Sequence, residues 1–452
     1  MDEAGAPPLE LSDALVEKVR AALAVGDTSA AAALAAPLHA ADLADLLERL
    51  DGEARRALIA ALGPAFDADT LPHLDEYVRD QVIEALGPEA TGEVVARLET
   101  DDAVEVLADL DEAEQAAILA GLPLPERAAI EQGLAFPEYS AGRLMQRDAV
   151  AVPEYWTVGQ TIDYLRAQPD LPDEFYDIFL IDPRFRVVGA VPLSRVLRSR
   201  RAVPLKELRL KELRTFPAEC DQEEVARAFR KYGLVSAPVV GADGRLLGVI
   251  TVDDVVDVIE EEAEDDILKL GGVLETDFFA GPWQSARQRL PWLVVNLATA
   301  VLAATVIGLF EGAIEKLVAL AVLMPMVPSM GGNAGTQTLT VTVRALAVGE
   351  LTPSNTLQIL WKEIAVGLVN GAVFLVLGAL IVALWFRDPY LGLVFGLAMI
   401  ANLTAAGLAG VTIPLALHRL GFDPAVSSAV FVTTVTDCVG FGAFLGLATL
   451  LL

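Results

Sequence analysis

The residue with the most chemistry to explain is an aspartate in the middle of an apolar stretch. Asp437 lies in FVTTVTDCVGFGAFLG, far from either end of the last hydrophobic segment. An ionised carboxylate facing lipid is costly, so such a group faces a water-filled path or a partner. A cation site, a proton relay and a polar contact between helices all satisfy that requirement. Thr433 and Gly440 share its helical face at i, i+4 and i+7, which makes a small polar face suited to lining a pore.

A second apolar segment carries PMVPSMGGNAGTQTLTVTVRALA. Pro325, Pro328, Gly331, Gly332 and Gly335 would interrupt an ordinary membrane helix. Unwound backbone at membrane depth survives only in a cavity or inside protein, and its freed carbonyls can hold cations or their waters. Ser329, Asn333, Thr336 and Gln337 add neutral oxygens. The same small residues would also serve close helix packing. Magnesium takes oxygen ligands and sheds its waters reluctantly, so one carboxylate with water-mediated oxygens makes a workable filter. No cluster of His or Cys lies in the apolar segments, which argues against softer metals. His418, at the end of one of them, reads as interfacial.

The third feature is a run of acids: Asp253, Asp254, Asp257, Glu260, Glu261, Glu262, Glu264, Asp265 and Asp266. A smaller group, Asp101, Asp102 and Glu105, lies upstream. Carboxylates facing one another make a low-affinity divalent site, because the ion removes their repulsion. A solvated helix face is the plain alternative.

The elements that position these groups follow from composition. Of 33 basic and 63 acidic residues, seven of each fall in 280–452, so the whole net charge of −30 resides before it. A part so acidic repels nucleic acid and attracts cations. Two cysteines, Cys220 and Cys438, allow no disulfide framework and no CxxC metal site. The first residues, MDEAGAPPLE, lack a basic start followed by an apolar run, so no cleavable signal is expected and the acidic part is expected to stay in the cytosol.

Residues 1–140 read as short amphipathic helices such as ADLADLLERL and EARRALIAAL, separated by Gly-Pro, Asp-Gly and Leu-Pro breaks. Short helices of this kind imply a stacked helical repeat. From about 146 the pattern becomes β-α-β-β-α, twice: DIFLIDPRFRVVGAVPLSRVL in the first copy is answered by SAPVVGADGRLLGVITVDDVV in the second. A charged helix and connector follow over 254–285. Five apolar segments, roughly 291–310, 316–345, 364–386, 391–417 and 424–452, are each long enough to cross a bilayer as a helix. With the N-terminus inside, Arg287, Arg289, Arg344, Lys362 and Arg419 fall on inner loops and only Lys316 and Arg387 on outer ones, as the positive-inside rule requires.

GGNAGTQ (Gly331–Gln337) followed by RALA, TTVTDCVG (Thr433–Gly440), and EYSAGRLM before the repeated β-α units together resemble the MgtE magnesium transporter family. The repeated units resemble a tandem cystathionine-β-synthase (CBS) pair. The resemblance implies a homodimer whose second and fifth spans line a pore at the dimer axis, plugged by the connecting helix when cytosolic magnesium is high. Carried over by motif, Asp437 is the selectivity carboxylate, Thr433 offers a backbone carbonyl to the same ion, Asn333 lies in the pore-facing break and Asp423 sits at the cytosolic mouth. Asp101, Glu105, Asp254, Asp257, Glu262, Asp265 and Asp266 are the sensing acids. Ala429, Val430 and Gly233 depart from residues found in some relatives. Thr251 and Asp254 fit the Thr-x-x-Asp pattern by which CBS pairs hold adenine nucleotides, but the first copy has Pro192 and Arg195, so a nucleotide is permitted and not expected.

The expectation is thus a multidomain chain: an all-α helical-repeat domain over 1–140, an α/β tandem CBS pair over 141–265, a plug helix and linker over 254–285, and an all-α membrane domain with five transmembrane helices over 286–452. It is not an enzyme. It takes up Mg2+ across the cell (inner) membrane as a homodimer, with Mg2+ both cargo and regulator. An ion-coupled divalent cation exporter or exchanger, and a non-transporting magnesium sensor, are the rival readings.

Overall fold

The computed structural model describes residues 11–169, 171–172, 174–273 and 281–452. Part of the expected connector, 274–280, lies outside the described residues. The chain divides into two compact units, Met1–Glu260 and Glu261–Leu452.

The first unit begins with eight α-helices: α1 (Asp13–Ala24), α2 (Thr28–Ala35), α3 (Ala40–Arg49), α4 (Gly52–Leu62), α5 (Glu76–Val95), α6 (Thr100–Ala108), α7 (Glu112–Gly121) and α8 (Leu124–Leu134). Local sequence explains them. Leu43, Ala44, Leu46 and Leu47 place one face of α3 in the core. Asp51 caps α4, its carboxylate accepting from the Glu53 and Ala54 amides at 3.1 and 2.9 Å, and Asp111 caps α7 in the same way. Within α5, Gly87 has φ +76° before Pro88, so two helices meet there. Proline disfavours helical backbone at the residue before it, which is why the Gly-Pro dipeptide breaks the element.

The two β-α-β-β-α copies follow. The first holds β1 (Ala151–Pro153), α9 (Val158–Ala167), β2 (Asp177–Ile181), β3 (Val187–Pro192) and α10 (Leu193–Leu197). The second holds β4 (Phe216–Pro217), α11 (Gln222–Tyr232), β5 (Ser236–Val240), β6 (Leu246–Thr251) and α12 (Val252–Leu270). Both sheets run parallel then antiparallel, and both carry an irregularity at the same place, Leu180/Ile181 and Val239/Val240. The two hairpin turns pair reciprocally: the Val187 amide donates to the Gly244 carbonyl at 3.2 Å and the Leu246 amide to the Phe185 carbonyl at 3.1 Å. The segment EYSAGRLM, which precedes the first copy in sequence, packs into the second. Ala141 and Met145 lie in the core with Phe216, Val225 and Ile250, and the Ala141 amide donates to the Cys220 carbonyl at 2.7 Å.

The second unit is helical: α13 (Pro282–Gly308), α14 (Glu311–Lys316), α15 (Ala319–Leu323), α16 (Met326–Ala347), α17 (Thr356–Phe386), α18 (Pro389–Arg419) and α19 (Pro424–Leu451), with the end of α12. Among the described residues, four helices are long and apolar enough to cross a membrane, over Ser285–Gly308, Thr356–Phe386, Pro389–Arg419 and Ser428–Leu451. The segment expected over 316–345 spreads across the end of α14, α15 and most of α16, and α16 is not among the four. Helix α18 is the most deeply buried, packed on α16, α17 and α19. Glycines let the backbones close: a Cβ on Gly392 would lie 2.5 Å from the Ala379 carbonyl oxygen.

Candidate cation sites

In the second unit, α16 corrects one expectation. Residues Gly331–Gln337 do not unwind; α16 is continuous from Met326 to Ala347. Pro325 is its N-cap and Pro328 lies in its first turn, where a missing N–H costs no helical bond. The glycines serve packing instead. A Cβ on Gly335 would lie 2.6 Å from Val432 Cγ1, and one on Gly331 would lie 2.1 Å from Asn402 Nδ2. No carbonyls are therefore freed at the glycine run for a cation.

The opposite face of α16 carries the chemistry. Ser329, Asn333, Thr336, Gln337 and Thr340 are all exposed, while Val327, Gly331, Gly335, Leu339 and Val343 are buried. The result is a polar stripe along a helix set in an apolar bundle. Beside it, α19 presents Asp437, half-buried, whose carboxylate has no hydrogen bond or ion pair among the described residues. Helices α16 and α19 meet where Gly335 faces Val432 and Gly332 faces Thr436. Asn333 and Asp437 each lie one residue from that seam. Thr433 is exposed, and its carbonyl accepts the Thr436 hydroxyl at 2.9 Å. Gly440, expected on the pore-lining face, is buried against Asn402 and Pro328.

Asp423 caps α19, accepting from the Ala425 amide at 2.8 Å. Its other oxygen pairs with Lys269 Nζ at 2.8 Å, and the same ammonium pairs with Asp265. Burial works against the Lys269 charge, but the hydrogen bonds to Asp265 and Asp423 outweigh it and raise the pKa. Two of the expected cation ligands thus already share a cation supplied by the chain. Glu262 and Asp266 lie on the same stretch of α12.

In the first unit the acids of α6 and of the start of α12 influence one another through space. Asp101 is buried; one carboxylate oxygen accepts from the Asp102 amide at 3.1 Å and the other has no hydrogen-bond partner among the described residues. Burial, with repulsion from Asp254, Asp102 and Glu99, holds its carboxyl well above the ordinary range. Asp102 is pushed up to about 7 by burial first, then by Glu105 and Asp254. Asp254 is likewise raised to about 7, chiefly by burial. The Thr251 hydroxyl and amide donate to Asp254 at 2.7 and 3.2 Å and act in the opposite direction. Burial also raises Asp257, with His73 opposing. Glu105 is engaged by Arg79 at 3.0 Å, a guanidinium it shares with Asp109.

Glu99, which the sequence reading passed over, belongs with this group: burial and the charges of Asp253, Asp69, Asp148 and Glu174 raise its pKa. Its position two residues before Asp101 was the available signal. Among the described residues, no three His, Cys, Asp or Glu side chains converge closely enough to hold a metal ion. The hairpin copies also form a small, partly open cleft lined in part by Asp148, Glu174, Asp177, Ser236 and Thr251.

Residues 324–447 match the family model of MgtE, a divalent cation transporter; residues 38–139 match the MgtE intracellular N domain and 205–261 a CBS domain. The magnesium transporter MgtE of Enterococcus faecalis is 33% identical over 311 residues, 69% of each chain. That of Thermus thermophilus is 36% identical over 318 residues, 69% of this chain and 70% of its own. Among solved structures, the soluble part of a magnesium transporter is 25% identical with a TM-score of 0.49, covering 56% of this chain and 99% of that one. The cytosolic domain of the Mg2+ channel MgtE in complex with ATP is 31% identical with a TM-score of 0.49, covering 54% and 99%. With these matches, the chain belongs to the MgtE family of divalent cation transporters.

Proposed function

We propose that this protein carries Mg2+ into the cell across the cell membrane and that cytosolic Mg2+ closes it. The observation that carries the reading is the unpaired, half-buried Asp437 beside the exposed polar stripe of α16. Lipid does not tolerate such a stripe, so it faces water or another copy of the chain. In a homodimer the stripes and the two Asp437 side chains meet around one axis. Each hydrated ion then finds carboxylates and neutral oxygens, with Thr433 and Asn333 on its route. An inside-negative potential supplies about 4.6 kcal/mol per 100 mV to a divalent ion, at ~2.3 per charge, so no other energy source is needed.

The same reading makes α16 a fifth span. Its 22 residues rise about 33 Å at 1.5 Å each, enough for a bilayer core. Its low hydropathy follows from facing the pore. Helices α1–α8 are read as an array of helix pairs, and the chain as four parts over 1–140, 141–265, 254–285 and 286–452. The N-terminal parts lie in the cytosol.

Regulation rests on Asp101, Asp102, Asp254 and Asp257, with Glu99 added. Crowded, desolvated carboxylates gain most from a divalent ion, because binding removes repulsion that protons otherwise relieve. Glu262 and Asp266 extend this acidic set along α12, and Glu105 contributes in competition with Arg79. An adenine nucleotide in the CBS pair is permitted and not required: Asp148, Glu174 and Asp177 line the cleft and oppose phosphates unless a divalent cation accompanies them.

The test is growth of a magnesium-transport-deficient cell at limiting Mg2+. The intact chain restores it and Asp437→Ala does not, at equal membrane abundance. Restoration by Asp437→Ala would remove the pathway. Uptake that requires a proton or sodium gradient would favour the exchanger instead.

A further inference from the structure

Asn402 lies in the middle of α18 and is fully buried. Its Nδ2 donates to the Val327 carbonyl of α16 at 2.8 Å. Two other helices approach it only because they carry glycine there. A Cβ on Gly331 of α16 would lie 2.1 Å from Nδ2, and one on Gly440 of α19 would lie 2.9 Å from the same atom. Pro328 closes the group at 3.0 Å from the Gly440 position. The other amide atom, Oδ1, is buried without a partner among the described residues.

Packing alone does not account for an amide here. Leucine has the same number of side-chain heavy atoms and would leave no side-chain polar atom unmatched, whereas a buried unmatched carbonyl costs free energy. What the amide adds is direction. A hydrogen bond to one carbonyl fixes the rotation and height of α16 against α18, and α19 rests on the same side chain. Gly331 lies two residues before Asn333, and Gly440 lies three after Asp437. We infer that Asn402 is a positioning residue for permeation, setting the spacing of the two helices that carry Asn333 and Asp437. This rests on the pathway proposed above.

The test uses the full chain in proteoliposomes, with Mg2+ uptake, its concentration dependence, and competition by Ca2+. Asn402→Leu is expected to keep its melting temperature in detergent yet lose at least about tenfold in maximal uptake or in preference for Mg2+ over Ca2+, as small misplacements of reacting groups do elsewhere. Asn402→Leu with unchanged uptake and preference overturns the inference. Gly331→Ala and Gly331→Ala with Asn402→Ala separate packing from positioning. The single variant is expected to fail to assemble; the double variant is expected to assemble, because the methyl fills the vacated space, without regaining the preference for Mg2+. A double variant that regains both overturns the inference, since the hydrogen bond is then dispensable. Asp437→Ala is run alongside: normal flux there removes the pathway itself, whereas flux lost there but intact in Asn402→Leu removes only the role of Asn402.

Discussion

Carboxylates are arranged in opposite ways in the two units. In the first unit they crowd: Asp101, Asp102 and Asp254 are desolvated, and mutual repulsion adds to the burial that raises their pKa values. In the second, Asp437 has no hydrogen bond or ion pair among the described residues and lies on α19 beside the polar stripe of α16. Crowding stores repulsion that a divalent ion releases, which favours retention. A single charge among neutral oxygens attracts an ion without holding it, which favours passage. The same residue type thus suits sensing or conduction according to its neighbours.

The sharpest way to break this contrast is to neutralise one member of each set. Asp437→Asn is expected to lower Mg2+ flux at least ~100-fold at normal abundance, on the order of 3 kcal/mol. Asp254→Asn is expected to leave maximal flux within about twofold and to weaken closure by cytosolic Mg2+, read by patch recording. Exchange of these outcomes between the two variants would overturn the contrast. Removing Asp257, Glu262, Asp265 and Asp266 together is expected to give a channel that stays open at high internal Mg2+.

A smaller effect is expected from pH. Asp102 and Asp254 keep protons up to about pH 7 in the folded chain, whereas an unfolded aspartate ionises near 4. The folded state therefore binds more protons through that window, and stability falls as pH rises through it. Without divalent ions, the melting temperature of the first unit within the full chain is expected to drop by on the order of 5 °C between pH 5.5 and 8. Millimolar Mg2+ should remove most of the drop. A melting temperature that rises over this range would contradict the assignment.

Lys269 tests the end of α12 in the second unit. The ammonium neutralises Asp265 and Asp423 together, so Lys269→Ala leaves two carboxylates opposed. The concentration of internal Mg2+ needed for half-closure is expected to rise several-fold, on the order of 1 kcal/mol. The smallest expected effect is that of Thr251→Val. It removes the 2.7 Å hydrogen bond to Asp254, costs about 1 kcal/mol and raises the Asp254 pKa further, measurable as a shift in the pH dependence above.

Much of the architecture was legible in the residues alone. Helical periodicity, capping aspartates, Gly-Pro breaks and the repeated hairpins are local signals, and local backbone preferences decide them. The apolar helices and the acidic run follow from composition over windows of a few turns. Asp437 stood out because a charge in an apolar segment requires a reason wherever the chain folds. Four features depended on tertiary structure. EYSAGRLM packs into the second hairpin copy and not the first, and α16 stays helical because its glycines meet α18 and α19. Lys269 stands between Asp265 and Asp423, and Asn402 bonds a carbonyl 75 residues away. Each depends on which distant side chain fills the space beside a given backbone, and neither periodicity nor composition carries that information. Steric fit and the matching of buried polar atoms settle it only once the helices are packed.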